Sequence, residues 1–257
     1  MFDYHMHSKV SFDGQDTGLD MALAAKARGL REICFTDHID YTPELDMVFD
    51  TAVYNAAYEG LEIPGLKIRL GMEYGLTPDN HDQFREDLSR RHFDFVLGSV
   101  HLVDGLDVYL QPYWQDKSYD EAIGRFLETT LRCVQTHTDY DVLGHLTFIS
   151  KARANPRQAL LRYDEHREII DEILRQLVRH DKGMELNTSG VDRCGGPLPT
   201  LDIFRRFHEL GGRIVTVGSD AHDTGRVGQY TFEMVQQLKE IFGYVCTFEN
   251  RQPIFHK

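Results

Sequence analysis

Apolar residues occur along the chain in short continuous runs that alternate with longer stretches of helical spacing. Short apolar runs predict buried strands, and recurrence every three or four residues predicts helices. The predicted strands cover residues 2–7, 32–36, 67–72, 93–100, 140–144, 183–187 and 213–219. The predicted helices cover residues 16–28, 51–58, 80–91, 118–136, 163–180, 200–210 and 230–242, and an apolar segment, 244–248, follows the last of them. In the first helix, Asp16 or Thr17 can act as the cap, Gly29 as the stop, and Leu19, Leu23 and Ala27 form the apolar face.

Regular alternation of strands and helices predicts right-handed βαβ units and a parallel sheet. Seven such strands without a linker rich in Pro, Gly or Ser favour one closed barrel over two domains. The chain has no GxGxxG or Walker A pattern, which disfavours a nucleotide-binding doubly wound sheet. We therefore predict an α/β protein, a (β/α)7 barrel that forms a single domain over residues 1–257.

Two longer loops interrupt this pattern. One contains Pro43 and precedes the second predicted helix. The other, residues 102–117, carries the only tryptophan, Trp114. Long loops at one end of a barrel commonly form the walls or lids of binding sites. We predict that residues 102–117 form a lid or a wall of a pocket.

Histidine and acidic residues cluster where the predicted strands end. His5 and His7 are two residues apart in the first strand, so both side chains project from the same face. The residues at or just after strand ends are His5, His7, His38, Glu73, His101, His145, Asp220 and His222. The carboxyl ends of the strands are the face where (β/α) barrels place their active sites. We interpret the other histidines, which fall in helices and loops, as surface residues: His81, His92, His137, His166, His180, His208 and His256.

Composition narrows the possible partners. The chain has 41 acidic and 28 basic residues, a net charge of −13, which argues against binding to nucleic acid or acidic membranes. Its four cysteines form no CxxC pair, its N-terminus does not resemble a signal peptide, and no apolar run approaches the roughly 20 residues of a membrane span. We expect a reduced, cytoplasmic protein; the sequence leaves its oligomeric state open.

The strand-end residues offer only nitrogen and oxygen ligands, which favours Zn, Fe or Mn over a thiolate-selective site. Glu73, on a mid-chain strand, is the natural bridging carboxylate between two ions about 3.5–4 Å apart, a geometry suited to phosphoryl transfer. With neutral histidines, Asp13, Glu73 and Asp220 contribute −3, whereas three divalent ions contribute +6. A positive pocket inside an acidic protein favours a small phosphorylated substrate.

Two arginines fall in loops on the same face. Arg153 follows the fifth predicted strand and Arg193 the sixth. A guanidinium can bind two phosphate oxygens at once, so both residues are candidate substrate contacts. The alternative is that both arginines are solvated surface residues.

Six ordered motifs, spread over essentially the whole chain, resemble those of the PHP (polymerase and histidinol phosphatase) superfamily. They are Asp3-Tyr4-His5-Met6-His7, Thr36-Asp37-His38, Gly71-Met72-Glu73, Gly98-Ser99-Val100-His101, Gly144-His145 and Gly218-Ser219-Asp220-Ala221-His222. The resemblance implies a distorted seven-stranded (β/α) barrel. Within the superfamily, the chain length, residues 185–190 and residues 248–253 are most similar to the monofunctional histidinol-phosphatase branch. That similarity implies hydrolysis of L-histidinol phosphate in histidine biosynthesis.

The resemblance also implies how two to three divalent ions are held. The first ion would take His5, His7, Glu73 and Asp220, and the second would share Glu73 and add His101 and His145. The third would take Asp13, His38 and His222; other members carry histidine where this chain has Asp13, which could instead be a turn residue before Gly14. A metal-activated hydroxide would attack phosphorus. The proton for the departing alkoxide could come from metal-bound water or from a nearby acid, for which His222 and Asp13 are the candidates.

Three alternatives remain open from the sequence. One is a phosphotyrosine-protein phosphatase, or another small-phosphoester hydrolase, with the same metal ligands. Another is an aminohydrolase-type barrel, which also uses an HxH strand but needs a bridging carboxylated lysine where this chain has Glu73. The third is a metal-binding regulatory protein without catalysis, which the nearly complete set of ligands disfavours.

Overall fold

The computed structural model describes residues 1–42 and 46–257. The predicted loop around Pro43 lies outside these residues. The strands are β1 (Phe2–Met6), β2 (Glu32–Phe35), β3 (His38–Tyr41), β4 (Asp46–Val48), β5 (Lys67–Gly75), β6 (Phe95–Ser99), β7 (Leu102–Val103), β8 (Leu106–Asp107), β9 (Val142–Leu143), β10 (Gly183–Asn187), β11 (Val215–Gly218), β12 (Val245–Glu249) and β13 (Gln252–His256). The helices are α1 (Gly18–Ala27), α2 (Thr51–Tyr58), α3 (His81–Ser89), α4 (Gln111–Trp114), α5 (Tyr119–Thr136), α6 (Arg167–Arg179), α7 (Val191–Cys194), α8 (Leu201–Glu209) and α9 (Thr231–Phe242). Two 3₁₀ turns cover Phe148–Lys151 and Tyr163–Glu165.

Seven parallel strands form the main sheet in the order β1-β2-β5-β6-β9-β10-β11. The sheet nearly closes on itself, because His7 N donates to Ala221 O at 2.8 Å and Asp220 N donates to His5 O at 2.8 Å. Helices surround the sheet, as the alternation of elements predicted. The distorted (β/α)7 barrel is therefore confirmed.

Two strands that the sequence analysis did not predict, β3 and β4, extend the sheet beside Glu73. β3 pairs in parallel with the end of β5, His38 opposite Glu73 and Ile39 opposite Tyr74, and β4 pairs antiparallel with β3. This pairing prolongs β5 to Gly75, so Glu73 lies within the strand rather than at its end as predicted. The additional ladder holds the Glu73 backbone on both sides.

The first helix buries a different face from the predicted one. Thr17 caps it and Gly29 follows it at φ 77°, as expected. However, Leu19 and Leu23 are each 49% exposed, while Met21, Ala22 and Ala25 pack into the core. The helix is apolar on several sides, so periodicity alone did not select the face that packs against the sheet.

The terminal apolar segment forms a hairpin of β12 and β13. Cys246 and Phe248 of β12 pack in a cluster with residues of β1, β2, β6 and β9, and the Tyr4 hydroxyl donates to Phe248 O at 3.0 Å. None of the four cysteines, all within the described residues, forms a disulfide. No helix of the described chain has the length and hydropathy that a bilayer crossing requires.

Candidate metal centre and active site

Glu73 is the centre of a buried group of histidines. Its Oε2 atom lies 3.1 Å from His5 Nε2 and 3.5 Å from His7 Nε2. Its Oε1 atom lies 2.9 Å from His145 Nε2 and 3.4 Å from His101 Nε2. The two oxygens of one carboxylate therefore face two different pairs of histidines. This is the arrangement that a bridging ligand between two ions requires.

Asp220 lies beside the first pair of histidines, His5 and His7. Its Oδ1 atom lies 3.6 Å from His5 Nε2 and 3.5 Å from His7 Nε2. The residue follows β11 and has φ 56°, in the left-handed region that Asp adopts more readily than most residues. Backbone strain at such a position is typical of functional sites.

A third group lies farther out, at the cavity. Asp13 Oδ2 is 3.1 Å from His222 Nε2 and 3.9 Å from His38 Nε2. The ring of His7 stacks against the rings of both His38 and His222, at centroid distances of 4.3 and 4.1 Å. His38 also approaches the inner group, because its Nδ1 atom is 3.2 Å from Glu73 Oε2. The structure thus brings together all nine residues that the sequence predicted as metal ligands.

The group fits divalent cations. Among the described residues, neither oxygen of the buried Glu73 carboxylate, nor Nδ1 of His145, has a hydrogen-bond partner. A buried charge without a partner is costly, and a coordinated cation would satisfy it. The triads in which one donor atom from each residue lies within 4.8 Å of the others include His5-His7-Glu73, Glu73-His101-His145 and His7-His38-His222. The donors are nitrogen and oxygen, as predicted.

The electrostatic environment keeps the carboxylates ionised. Burial favours the neutral acid, but nearby His5, His38 and His101 outweigh burial and hold the pKa of Glu73 well below its usual value. Burial similarly opposes ionisation of Asp220, but Lys151 and His5 lower its pKa well below the usual value.

The histidines divide into two kinds. Burial lowers the pKa of His7 and of His145, so these rings are neutral and offer a free lone pair at neutral pH. For His5, burial is outweighed by Glu185 and Glu73, which raise the pKa well above the usual value. A ring of this kind must release a proton to become a ligand, so metal binding at this group is coupled to proton release.

A carboxylate behind His5 was missed as part of the site. Glu185 Oε1 is 2.6 Å from His5 Nδ1, and its Oε2 accepts from His145 N at 2.8 Å. Such contacts orient metal-bound histidines and set which ring nitrogen is free. Its position next to the end of β10 was the available signal, since that strand supplied no other predicted ligand.

Lys151 is a second residue that the sequence did not identify. Its Nζ atom forms a short ion pair with Asp220 Oδ2 and donates to Ser189 Oγ at 2.7 Å. Lys151 belongs to the 3₁₀ turn after β9 and lines the cavity, with Nζ 5.0 Å from the centre of the Phe148 ring. A lone lysine in a basic loop gave no pattern that distinguished it from its neighbours.

The group opens into a cavity of about 880 Å³. Arg193 lines it, with its guanidinium 5.2 Å from the centre of the Tyr109 ring, which orients the charge. Arg153 is exposed and is not among the lining residues; it lies two residues beyond the 3₁₀ turn from which Lys151 reaches the cavity. The substrate contact predicted for Arg193 thus has a geometric basis, whereas the one predicted for Arg153 does not.

The loop of residues 102–117 contributes Leu102, Asp107, Tyr109 and Leu110 to the cavity wall. Trp114 itself is buried, with its indole N–H donating to Val108 O at 2.8 Å. The loop is therefore a wall of the pocket, as predicted, and the tryptophan anchors it.

Of the histidines interpreted as surface residues, His137 is buried and its Nε2 lies 2.7 Å from Thr77 O, so that interpretation was wrong for this residue.

The fold and this metal-ligand group define a class of protein. The model of the PHP domain family matches residues 3–189, which is well over half of the chain. The chain belongs to the PHP domain family. Asp220 and His222 lie beyond the matched segment, yet they complete the cluster because β11 closes the barrel beside β1.

Individual proteins are similar to this chain over most of its length. The chain is 33% identical over 226 residues to the histidinol-phosphatase of Lactococcus lactis, covering 86% of this chain and 83% of that protein. It is 32% identical over 233 residues to a "probable histidinol-phosphatase" of Clostridium acetobutylicum, covering 89% of each. Its structure is similar to a crystal structure of the L. lactis histidinol phosphate phosphatase in complex with zinc, L-histidinol and phosphate, with a TM-score of 0.85, 27% identity and 98% coverage of both chains.

Proposed function

We propose that this protein is a metal-dependent phosphomonoesterase that hydrolyses L-histidinol phosphate to L-histidinol and phosphate. The observation that carries the proposal is Glu73, a buried carboxylate at the floor of a cavity. Its two oxygens have no hydrogen-bond partner among the described residues and face two sets of histidines. The relatives that match over most of the chain and bear the name histidinol-phosphatase support this substrate.

The inner residues would hold two ions. His5, His7, Glu73 and Asp220 would hold the first, and Glu73, His101 and His145 the second. Asp13, His38 and His222 would hold a third. The relative with bound zinc supports zinc as one candidate, and the donor set is also suited to Fe or Mn. When bound, the ions would lower the pKa of water and neutralise phosphate charge.

The residues of this chain would then bind and orient the phosphoryl group. Arg193 lines the cavity and has the geometry to bind two phosphate oxygens, and the fixed cation of Lys151 lies on the same cavity. Positive groups placed beforehand around the phosphoryl oxygens stabilise the charge of the transition state without reorganisation. When no third ion is bound, His222 and Asp13, 3.1 Å apart at the cavity, are the candidates to hold the proton that the departing alkoxide needs.

The cavity is also suited to the alcohol half of the substrate. Histidinol carries an ammonium group and an imidazole ring, which require acidic and aromatic surroundings. Asp107, Asp192 and Asp223 line the cavity together with Phe12 and Tyr109. A volume of about 880 Å³ accommodates a small phosphomonoester.

The test is phosphate release by the metal-loaded protein from histidinol phosphate, a phosphotyrosine peptide and a nucleoside monophosphate. We expect kcat/KM for histidinol phosphate to exceed the other two by at least about 100-fold, since a polar site rejects substrates that leave its buried groups unpaired. Equal efficiency on all three would contradict the substrate assignment but retain the phosphatase class. Absence of hydrolysis by the metal-loaded protein would contradict the class itself.

A further inference from the structure

Asp40 is a buried carboxylate to which the proposed chemistry assigns no role. It lies on β3, two residues after His38, and is 2% exposed. Its Oδ1 atom is 2.9 Å from His101 Nδ1, and its Oδ2 atom is 3.2 Å from His38 Nδ1. The two oxygens of Asp40 thus contact two different candidate metal ligands.

The contact with His101 determines what the opposite nitrogen can do. When His101 Nδ1–H donates to Asp40, the lone pair of the neutral ring is on Nε2. That Nε2 atom is the one that faces Glu73 Oε1, at 3.4 Å. A carboxylate behind a histidine in this way fixes the ring orientation and raises its basicity toward a metal ion.

The contact with His38 is of another kind. Within the part of the chain that the structure describes, His38 Nδ1 has no partner with hydrogen-bond geometry, although it is 3.2 Å from both Asp40 Oδ2 and Glu73 Oε2. Asp40 therefore acts on this ring through charge.

Gly75 makes room for Asp40. A Cβ atom built on Gly75 would lie 1.9 Å from Asp40 Oδ1 and 2.7 Å from its Cγ. Gly75 is in β5 and does not have a positive φ, so its lack of a side chain, not its backbone freedom, is what the site uses. The same arrangement occurs at Glu185, since a Cβ atom on Gly218 would lie 2.4 Å from Glu185 Oε1.

We infer that Asp40 is a positioning residue that fixes His101 by a hydrogen bond and His38 by charge, and that Gly75 is required for it. In this arrangement each of two metal-ligating histidines, His5 and His101, has a carboxylate behind it, and each carboxylate packs against a glycine of a neighbouring strand. The inference rests on the metal-binding part of the proposed function and is independent of the substrate.

Equilibrium metal affinity tests the inference without using activity. Purified apoprotein is titrated with Zn²⁺ in competition with a chromophoric chelator, and metal content is measured after desalting. For Asp40→Ala, we expect a loss of about 10–100-fold in affinity for the ion held by His101. Asp40→Asn should lose less, because the amide oxygen still accepts from His101 although the charge is gone. Because asparagine has nearly the same shape, this variant keeps the test valid if Asp40→Ala does not fold.

Two matched controls separate this effect from general destabilisation. Asp87→Asn alters a carboxylate on α3 that is also 2% exposed. Within the described residues, this carboxylate accepts hydrogen bonds from the Tyr41 and Tyr74 hydroxyls and forms an ion pair with the neighbouring Arg90. Gly124→Ala adds a methyl group on α5 where, apart from the helix's own backbone, no atom of the described residues lies within 4 Å. Both controls should bind zinc with wild-type affinity, even if the first has a lower melting temperature.

Gly75→Ala provides an independent test, because it displaces the carboxylate without removing it. We expect it to weaken zinc binding as Asp40→Ala does, and to add little further loss when combined with Asp40→Ala, since the clash has then been removed. Wild-type affinity in both Asp40→Ala and Asp40→Asn, or full additivity of Gly75→Ala with Asp40→Ala, would overturn the inference. A wild-type protein that binds no zinc would instead contradict the proposed function.

Discussion

The inner and outer parts of the metal-ligand group are built differently. The inner part, around Glu73, is supplied by strands or by residues directly after them, and Glu73 and His145 are 1% and 2% exposed. The outer part depends on Asp13, which lies in the loop before α1 and is 38% exposed, and on His222, which is 24% exposed. The inner ligands therefore have fixed positions before any ion binds, whereas the outer position is accessible from the cavity.

The inner and outer parts also differ in what contacts the second ring nitrogen of their histidines, the one opposite the nitrogen that would bind an ion. His5 and His101 each have a buried carboxylate on the opposite nitrogen, Glu185 and Asp40. Among the described residues, the hydrogen-bond partner of His222 Nδ1 is a backbone atom, Asp220 O at 3.0 Å, and the Asp220 carboxylate is farther away, with Oδ1 at 3.6 Å. Supporting carboxylates strengthen metal binding. The comparison therefore predicts that the inner ions are retained and that the outer ion exchanges.

Removing the bridge has the largest expected effect. Glu73→Gln should retain the fold but lose both inner ions, because an amide is a poor bridging ligand. Turnover should fall by more than about 1000-fold, as expected when the main electrostatic stabilisation is lost. Metal content by elemental analysis and phosphate release are the measurements. Full metal content with near wild-type turnover would show that Glu73 is not the bridge.

Removing the outer carboxylate should affect only one ion. In Asp13→Ala we expect the ion between His38 and His222 to be lost while the inner two remain, with a fall in kcat of about 10–100-fold, less than the loss of a principal charge stabiliser. Elemental analysis together with a crystal structure of the variant measures this. If all three ions are still bound, or if activity is undiminished, Asp13 is only a turn residue.

Removing the cavity arginine should leave both parts of the metal centre intact. Arg193→Ala loses a charge-assisted contact to phosphate, so KM should rise about tenfold or more at unchanged metal content. Arg153→Ala is the matched control, because that side chain is exposed and does not line the cavity. Steady-state kinetics of both variants decide the point. Equal effects of the two substitutions would contradict the role inferred for Arg193.

The smallest effect on turnover is expected for Asp13→His. The substitution provides nitrogen in place of oxygen at an accessible position, so occupancy should persist and turnover should stay close to wild type. The metal preference should shift from Mn toward Zn, because imidazole is the softer ligand. Competition between the two metals for the apoprotein measures the shift. An unchanged preference would indicate that Asp13 is not coordinated.

Local patterns in the sequence were sufficient to predict the barrel and the face of it on which the candidate ligands lie. Alternating apolar runs and helical spacing determine a parallel sheet, and the carboxyl ends of its strands must meet on one face. His5, His7 and Glu73 could therefore be assigned to one site before any distance was known. Helix caps are likewise local interactions, and Thr17, one of the two residues predicted to cap the first helix, is the cap in the structure.

Only the tertiary structure decided which neighbours support those ligands. Asp40 contacts His101, 61 residues away, and Lys151 contacts Asp220, 69 residues away. Such contacts depend on the pairing of β3 with β5 and on the direction of one short turn, neither of which has a periodic signature. Packing between elements likewise decided that Arg193 and not Arg153 lines the cavity, and which face of α1 is buried. Periodicity determines which residues share an element, whereas packing between elements determines what each side chain meets.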